Sequence, residues 1–243
     1  MLLQLATWPE VERYLGARSD IILPIGSTEQ HGPIGLIGTD ALTAAAIAEG
    51  VGAAEGALVA PTIAVGMAVH HLAFPGSMTL KPSTLIAMVV DCVQSLAHHG
   101  FRRFFFINGH GGNIASLTAA FYEIHAQANG TDLRCLLSNW WQPEPVQALI
   151  GELYGSAEGS HATPSEVAVT WHLHPKAEER RTALNPEIAP TGGFHGPEDF
   201  RRRYPDGRIG SNSALATAQD GARILEAAIT ANARVYRDFV LGN

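Results

Sequence analysis

Three short stretches of the sequence carry acidic and histidine side chains that could hold a divalent metal ion. In the first, Glu29 and His31 follow the apolar run at residues 21–25, and Asp40 comes after a glycine-rich loop. Side chains two positions apart in an extended backbone point to the same side, and carboxylate and imidazole groups suit zinc or manganese. The ordinary alternative stays open here: Glu29 and His31 as loop residues, and Asp40 as a favourable charge at a helix start.

The second stretch is Asn-Gly-His-Gly-Gly-Asn at residues 108–113, directly after an apolar run. Glycines on both sides of His110 let the backbone approach a ligand closely. Glycine-rich amides at a helix start can also bind phosphate without a metal. The Walker lysine pattern and the dinucleotide glycine pattern are both missing. Because a histidine is unusual in a phosphate cradle, we favour a metal-binding or catalytic role.

The third stretch contains His161, Thr163, Pro164 and Glu166. Threonine followed three residues later by glutamate, with proline at the first helical position, predicts a capped helix start. Taken alone, capping is a sufficient explanation for Glu166. His161 lies just before this cap and is the more unusual residue. The sequence has no Gly-x-Ser-x-Gly elbow and no activated cysteine, which argues against a serine or cysteine nucleophile.

Several other residues are weaker candidates. His71 and Phe74 could form a pocket wall or simply pack in their loop, and His195, Trp140 and Trp141 are undecided. Six further histidines are interpreted as packed or surface residues: His70, His98, His99, His125, His172 and His174.

The hydrophobic pattern predicts elements that would bring the three stretches together. Strands are expected at residues 21–25, 57–65, 104–107 and 133–137. Helices are expected at 7–16, 41–50, 83–99, from 113 to about Asn129, and at 213–239 with a bend at Gly221. Residues 176–210 are predicted to be irregular. Alternating strands and helices predict one α/β domain over 1–243 with a mostly parallel sheet, in which ligands bind at the carboxyl ends of the strands.

The composition excludes some classes of partner. The chain has 243 residues, 46% of them hydrophobic, and acids exceed bases by 23 to 16, so its formal charge is −7. This charge argues against nucleic acid as a partner. The sequence contains no apolar run long enough to predict a membrane span. Cys92 and Cys135 lie in apolar patterns and are interpreted as core thiols in a reducing, cytoplasmic compartment.

Taken together, the three stretches resemble the creatininase (creatinine amidohydrolase) family. The matching strings are Gly-Ser-Thr-Glu-Gln-His-Gly-Pro at 26–33, Gly-Thr-Asp at 38–40, Phe-Pro-Gly at 74–76, and the 108–113 loop, with His161 and Glu166 behind them. The resemblance implies a three-layer α/β/α sandwich that holds two divalent ions per subunit, Zn, Mn or Fe. Asp40 would bridge the two ions, Glu29 and His110 would complete one site, and His31 and Glu166 the other.

The resemblance also implies an activity. A metal-activated hydroxide would attack the carbonyl of a small cyclic amide, lactam or formamide, and His161 would protonate the departing nitrogen; His161 and Glu166 are the candidate catalytic residues. Creatinine-hydrolysing members carry Tyr and Glu where this chain has Gly111 and Gly112, which weakens the case for creatinine itself.

Two alternative functions stay open: hydrolysis of a carbon–carbon bond in a cyclic ketone, and a non-catalytic protein stabilised by metals. Relatives form rings, so a homo-oligomer such as a hexamer is expected. The arginines at 201–203 could meet an acidic substrate, although a solvated charge run is the favoured interpretation.

Overall fold

The centre of the fold is a parallel three-stranded sheet. The structure is a computed structural model that describes residues 1–128 and 130–242. The strand order is β1–β2–β3, with bounds Asp20–Ile25, Arg103–Asn108 and Arg134–Asn139. The strands are in register, so that Ile25, Asn108 and Asn139 end side by side at one edge.

Helices connect and flank these strands. The α-helices are α1 (Trp8–Leu15), α2 (Thr39–Glu55), α3 (Pro82–His98), α4 (Ile114–Gln127), α5 (Glu144–Tyr154), α6 (Pro164–Leu173), α7 (Gly196–Arg203) and α8 (Ala218–Leu241). Short 3-10 turns lie at Leu3–Leu5, Val69–His71, Gly111–Asn113, Gly155–Ala157, Pro175–Arg180 and Ser213–Leu215.

Each face of the sheet carries its own hydrophobic core. Ile22 and Phe105 point to the core shared with α2, α6 and α8, whereas Ile21, Phe104 and Phe106 point to the core shared with α3 and α4. Strands covered on both faces need no polar alternation, which is why β2 reads as a continuous apolar run. The predicted α/β fold with helices on both faces of a parallel sheet is confirmed.

The predicted strand at 57–65 is wrong as a regular strand. This segment runs along the edge of β1 but pairs with it only through single bridges, Val59 to Ile22 and Ile63 to Ile25. Pro61 has no N–H to donate and interrupts the ladder. The two bridged residues are four positions apart in this segment but three positions apart in β1, so the segment has one extra residue between the bridges.

The prediction for 176–210 is also wrong in part, because α7 lies inside it. The helix signal was present in the sequence: Pro197 in the first turn, Glu198 and Asp199 beside it, and arginines in the last turn, as the helix dipole favours. The last long helix begins at Ala218 after a 3-10 turn. The predicted end of α4 at Asn129 lies outside the described residues, and α4 ends at Gln127.

A bilayer crossing would need a helix among the described residues that is both long and apolar. None of the described helices combines the necessary length with sufficient apolarity.

Gly221 in α8 should be intolerant of substitution because it lies against the backbone of α6. A Cβ at Gly221 would lie 1.9 Å from the carbonyl oxygen of Ala168. We expect Gly221→Ala to destabilise the protein by about 3 kcal/mol through overpacking, measured by denaturant unfolding. The bend predicted at this residue stays a prediction.

Gly151 in α5 provides the matched control. A Cβ at this exposed helical position meets nothing within 4 Å. Gly151→Ala should therefore stabilise the protein by about 0.5–1 kcal/mol through helix propensity. Equal effects of the two substitutions would contradict the assignment of Gly221 to close helix packing.

Candidate metal centre

The three stretches meet at the carboxyl edge of the sheet. Glu29 and His31 follow β1, His110 follows β2, and Asp40 stands in the first turn of α2. Glu166 lies in the first turn of α6. This is the edge at which parallel α/β sheets bind ligands. The structure therefore brings together all of the residues that the resemblance proposed as ligands.

Asp40 occupies the middle of this group. Its Oδ1 lies 2.9 Å from His31 Nε2, and its Oδ2 lies 3.1 Å from His110 Nδ1. Two sets of potential metal ligands share this carboxylate, Glu29–Asp40–His110 and His31–Asp40–Glu166. A third set joins Glu29 and His31 to His161.

His31 and His110 each use one ring nitrogen in a hydrogen bond to a backbone carbonyl, which leaves the other nitrogen free to face the carboxylates. His31 Nδ1 lies 3.1 Å from the carbonyl oxygen of Glu29, and His110 Nε2 lies 3.0 Å from that of Met67. A carbonyl oxygen can only accept, so these nitrogens donate. The opposite nitrogens, His31 Nε2 and His110 Nδ1, then face Asp40 without a proton in the neutral ring, as metal-binding histidines require.

Unpaired buried atoms show that the group fits cations. Glu29 Oε1, His31 Nε2 and Asp40 Oδ2 are buried and have no hydrogen-bond partner. Buried polar atoms are normally satisfied, and oxygen and nitrogen donors of this kind match zinc and manganese. The residues present therefore fit divalent metal ions.

Glu166 caps its helix, and its position also suits the ligand role that the family resemblance implies. Its Oε1 accepts the backbone N–H of Thr163 at 2.6 Å, and Thr163 Oγ1 accepts the N–H of Glu166, which completes the capping box. The same oxygen lies 3.8 Å from His31 Nε2. The cap fixes the direction of this carboxylate toward the site.

The phosphate-cradle alternative for residues 108–113 finds little support. The amide of Gly109 donates to Ile25, that of His110 to the side chain of Asn108, and that of Asn113 to His110. An anion cradle needs free amides. The loop uses these three amides to hold its own shape.

Ser27 and Gln30, two polar neighbours of the proposed ligands, were not predicted, and His71 was considered only as a pocket wall. Ser27 Oγ donates to Glu29 Oε2 at 2.8 Å, and His71 Nε2 lies 3.1 Å from Glu29 Oε1. Gln30 contacts both His71 and His161. The position of Gln30 between Glu29 and His31 was the only sequence signal for it.

A cavity of about 340 Å³ opens beside this centre. Asp40, His110, His161 and Glu166 form its floor, and Trp140 and Trp141 are among its walls. Glu158, which the sequence analysis missed, also lines it; burial and the nearby charge of Glu166 raise the pKa of Glu158 to about 7. Both tryptophans left undecided thus belong to the pocket.

The arginines of α7 do not line this cavity. Arg201 stacks over the ring of Phe74 at 4.2 Å, whereas Arg202 and Arg203 pair with Asp199. His195 is exposed and precedes α7. These contacts agree with the favoured interpretation of a solvated charge run.

The remaining histidines lie where the sequence interpretation placed them. His70 is half-buried and stacks against His71 and Phe194. The other five are exposed: His98, His99, His125, His172 and His174.

The comparisons with known proteins agree with the geometry. The mycofactocin precursor peptide peptidase of Mycolicibacterium smegmatis is 40% identical over 41% of this chain and 42% of its own length. The protein of that description from Mycobacterium tuberculosis is 32% identical over 86% of this chain and 81% of its own length. Creatinine amidohydrolase of Pseudomonas putida is 27% identical over 96% of this chain and 94% of its own length.

Solved structures give the same result. Two creatininases, one described as Zn-Zn type and one as Mn, share 26% identity with this chain over 98% of each molecule, with TM-scores of 0.83 and 0.84. Fold and site thus define a hydrolase that acts on carbon–nitrogen bonds. The family model described as creatinine amidohydrolase matches residues 4–236, and the chain belongs to the creatininase family.

Protein stripped of metal by a chelator should lose stability as the pH rises. Burial lowers the pKa of His31, but the carboxylates of Asp40 and Glu166 outweigh it and raise that pKa to about 10. An unfolded histidine has a pKa of about 6.5, so folding takes up a proton. This stabilisation is complete below about pH 6.5 and is lost as the pH approaches 10.

Thermal unfolding of chelator-treated protein between about pH 6 and about pH 9 should show a falling melting temperature. Zinc-loaded protein is the control, because metal binding displaces the same protons and strengthens as the pH rises. Parallel pH profiles of the two preparations would contradict the placement of these protons.

Proposed function

We propose that this protein is a metal-dependent amidohydrolase with two divalent ions per chain. The observation that carries the proposal is the position of Asp40, whose two oxygens face His31 and His110 respectively. One carboxylate thereby divides the ligands into two sets. Glu29 with His110 would hold one ion, His31 with Glu166 the other, and Asp40 would bridge them.

Metals at such a site supply an activated water and a Lewis acid for a carbonyl oxygen at neutral pH. The chain itself supplies proton transfer. His161 Nδ1 lies 3.9 Å from Glu29 Oε1, on the side of the metal ligands. We assign His161 the transfer of a proton to the departing nitrogen, and Glu166 the orientation of His31 and the attacking solvent.

The shape and charge of the cavity support a small, uncharged or cationic amide. Its described lining residues include no lysine or arginine, so beyond the proposed metal ions and the histidines no side chain would compensate an anionic group. Tryptophan walls favour flat or cyclic groups. A lactam, cyclic amide or formamide meets these conditions.

The relatives widen the range of substrates that should be tested. Those described as peptidases have a higher percentage identity to this chain, over a smaller part of it, than the one described as creatinine amidohydrolase. The restriction to non-peptide bonds is therefore part of the proposal. Short peptides and cyclic ketones belong in the assay beside lactams and formamides.

The metals proposed are zinc, manganese or iron, and the assembly a homo-oligomer. The donor set of carboxylates and imidazoles suits all three metals. Leu5 and Trp8 are 78% and 76% exposed, which leaves apolar surface near the N-terminus for another copy to cover. Light scattering that gives the mass of one chain would contradict the oligomer.

Asp40→Asn should abolish binding of both ions, since an amide cannot supply the anionic bridge. Elemental analysis of purified protein should give two ions per chain for the wild type and close to none for this variant. Glu166→Gln should retain the ion held by Glu29 and His110.

Asp132→Asn provides the control for Asp40→Asn. Asp132 is an exposed carboxylate paired with Arg103 and Arg134. The same chemical change should leave its metal content at the wild-type value. Unchanged stoichiometry in Asp40→Asn would show that the ligand assignment is wrong.

His161→Gln should lower kcat by about 10²-fold or more for any substrate found, because a general acid–base residue is removed. The metal content should stay at the wild-type value. The assay would test zinc-, manganese- and iron-loaded protein against the four substrate groups named above. The exposed His125→Gln is the matched control.

Full hydrolysis by metal-loaded His161→Gln would contradict its proton-transfer role. Absence of hydrolysis by the wild type on every substrate, with metals bound, would favour the non-catalytic alternative.

A further inference from the structure

Gln30 makes a dense set of polar contacts between two proposed metal ligands. Its side-chain nitrogen lies 2.9 Å from the carbonyl oxygen of Gly207, 2.9 Å from His71 Nδ1 and 2.8 Å from His161 Nε2. Its side chain is 7% exposed. The proposed reaction gives this residue no role.

The orientation of the Gln30 amide follows from its partners. Its Oε1 accepts the backbone N–H of Gly32 at 2.8 Å, so the nitrogen must point the other way, toward Gly207. Gly207 is essential to this contact, since a Cβ there would lie 1.9 Å from Gln30 Oε1. The amide nitrogen carries two hydrogens, and one is used by Gly207.

His161 competes with His71 for the second hydrogen. Its Nε2 lies 2.9 Å from the backbone carbonyl oxygen of Gln30, which can only accept. An unprotonated Nε2 would accept from the Gln30 amide and leave that oxygen without this donor, whereas a protonated Nε2 donates to it. With the proton on Nε2, Nδ1 of the neutral ring is unprotonated on the side of Glu29.

The second hydrogen goes to His71. With Nδ1 accepting from Gln30, a neutral His71 has its proton on Nε2, 3.1 Å from Glu29 Oε1. In this arrangement the Gln30 side chain donates to Gly207 and His71, and its backbone carbonyl accepts from His161. In the opposite arrangement Gln30 donates to Gly207 and His161, its backbone carbonyl loses the donor, and His71 Nδ1 has no donor either.

Packing restricts both rings to these orientations. His71 and His161 stack with centroids 4.3 Å apart and planes at 27°, and Phe200 meets His71 edge-on. Two charged rings at this distance would repel each other. The stack therefore favours neutral rings, whose proton positions depend on the hydrogen bonds of Gln30.

We propose that Gln30 is a positioning residue that fixes the tautomers of His71 and His161. Through its side chain it places the His71 proton on Nε2, 3.1 Å from Glu29 Oε1, and through its backbone carbonyl it leaves His161 Nδ1 free to receive a proton. The inference deepens the proposed function, because a proton acceptor facing the ligands is what amide hydrolysis at this site needs.

Solid-state ¹⁵N NMR of zinc-loaded protein with labelled histidines tests the assignment directly, since protonated and unprotonated ring nitrogens resonate in separate regions. His71→Asn and His161→Asn identify the two sets of signals by difference. We expect both rings to be unprotonated at Nδ1 and protonated at Nε2. A proton on Nδ1 of His161 would overturn the proposal.

Gln30→Glu tests the role of the side chain. The carboxylate accepts where the amide donated, so the His71 Nδ1 signal should move from the unprotonated to the protonated region. Gln147→Glu, which adds the same charge on the cavity wall, should leave that signal in place. An unmoved His71 signal in Gln30→Glu would overturn the positioning role.

The metal content of each sample separates this proposal from the proposed function. Protein that binds no zinc would contradict the metal-dependent hydrolase. Protein that binds two zinc ions but shows the other tautomers would contradict only the role of Gln30.

Discussion

The burial of two carboxylates beside each other is the constraint on which the rest of the site depends. Glu29 is fully buried and Asp40 is 2% exposed. Burial of unpaired charge is costly, and one carboxylate raises the cost of the other. Positive charge brought between them compensates, either as protons on His31 and His110 or as metal ions. The fold therefore maintains a site with a built-in demand for cations.

Glycines at the carboxyl edge make this arrangement sterically possible. A Cβ on Gly109 would lie 2.1 Å from the carbonyl oxygen of Asp40, and one on Gly26 would lie 2.4 Å from its backbone carbon. The first turn of α2 is thus pressed against the ends of β1 and β2. Gly26 directly follows β1 and Gly109 directly follows β2. The residues at which strand pairing ends are therefore the same ones that let α2 approach the sheet. Asp40 reaches the centre because its helix can come this near.

The sequence predicted the residues of the site better than the edges of the fold. Spacing and flanking glycines made Glu29, His31 and His110 candidates, and the resemblance to the creatininase family then selected them as ligands. The segment at 57–65 was misjudged because apolar composition does not reveal where Pro61 breaks a ladder. Helix α7 was missed although its charge pattern was visible, because proline and glycine around it dominated the interpretation.

Residues defined by long-range contacts could not be predicted in this way. Gln30 meets Gly207 and His161 from parts of the chain more than 130 positions away. Glu158 lines the cavity beside the start of α6, where Ser165 donates to its carboxylate. No periodicity or spacing in the sequence encodes such meetings, which depend on how the helices pack against the sheet.

Glu166 shows why structural and functional interpretations of a motif need not compete. A capping glutamate must turn its carboxylate back toward the helix start, and that direction is fixed by the N–H of Thr163. Here the start of α6 points at His31, so the orientation required by the cap is also the one required of a ligand. A cap that holds a carboxylate rigid reduces the entropy lost when an ion binds. The helix start therefore serves the site because it is well capped.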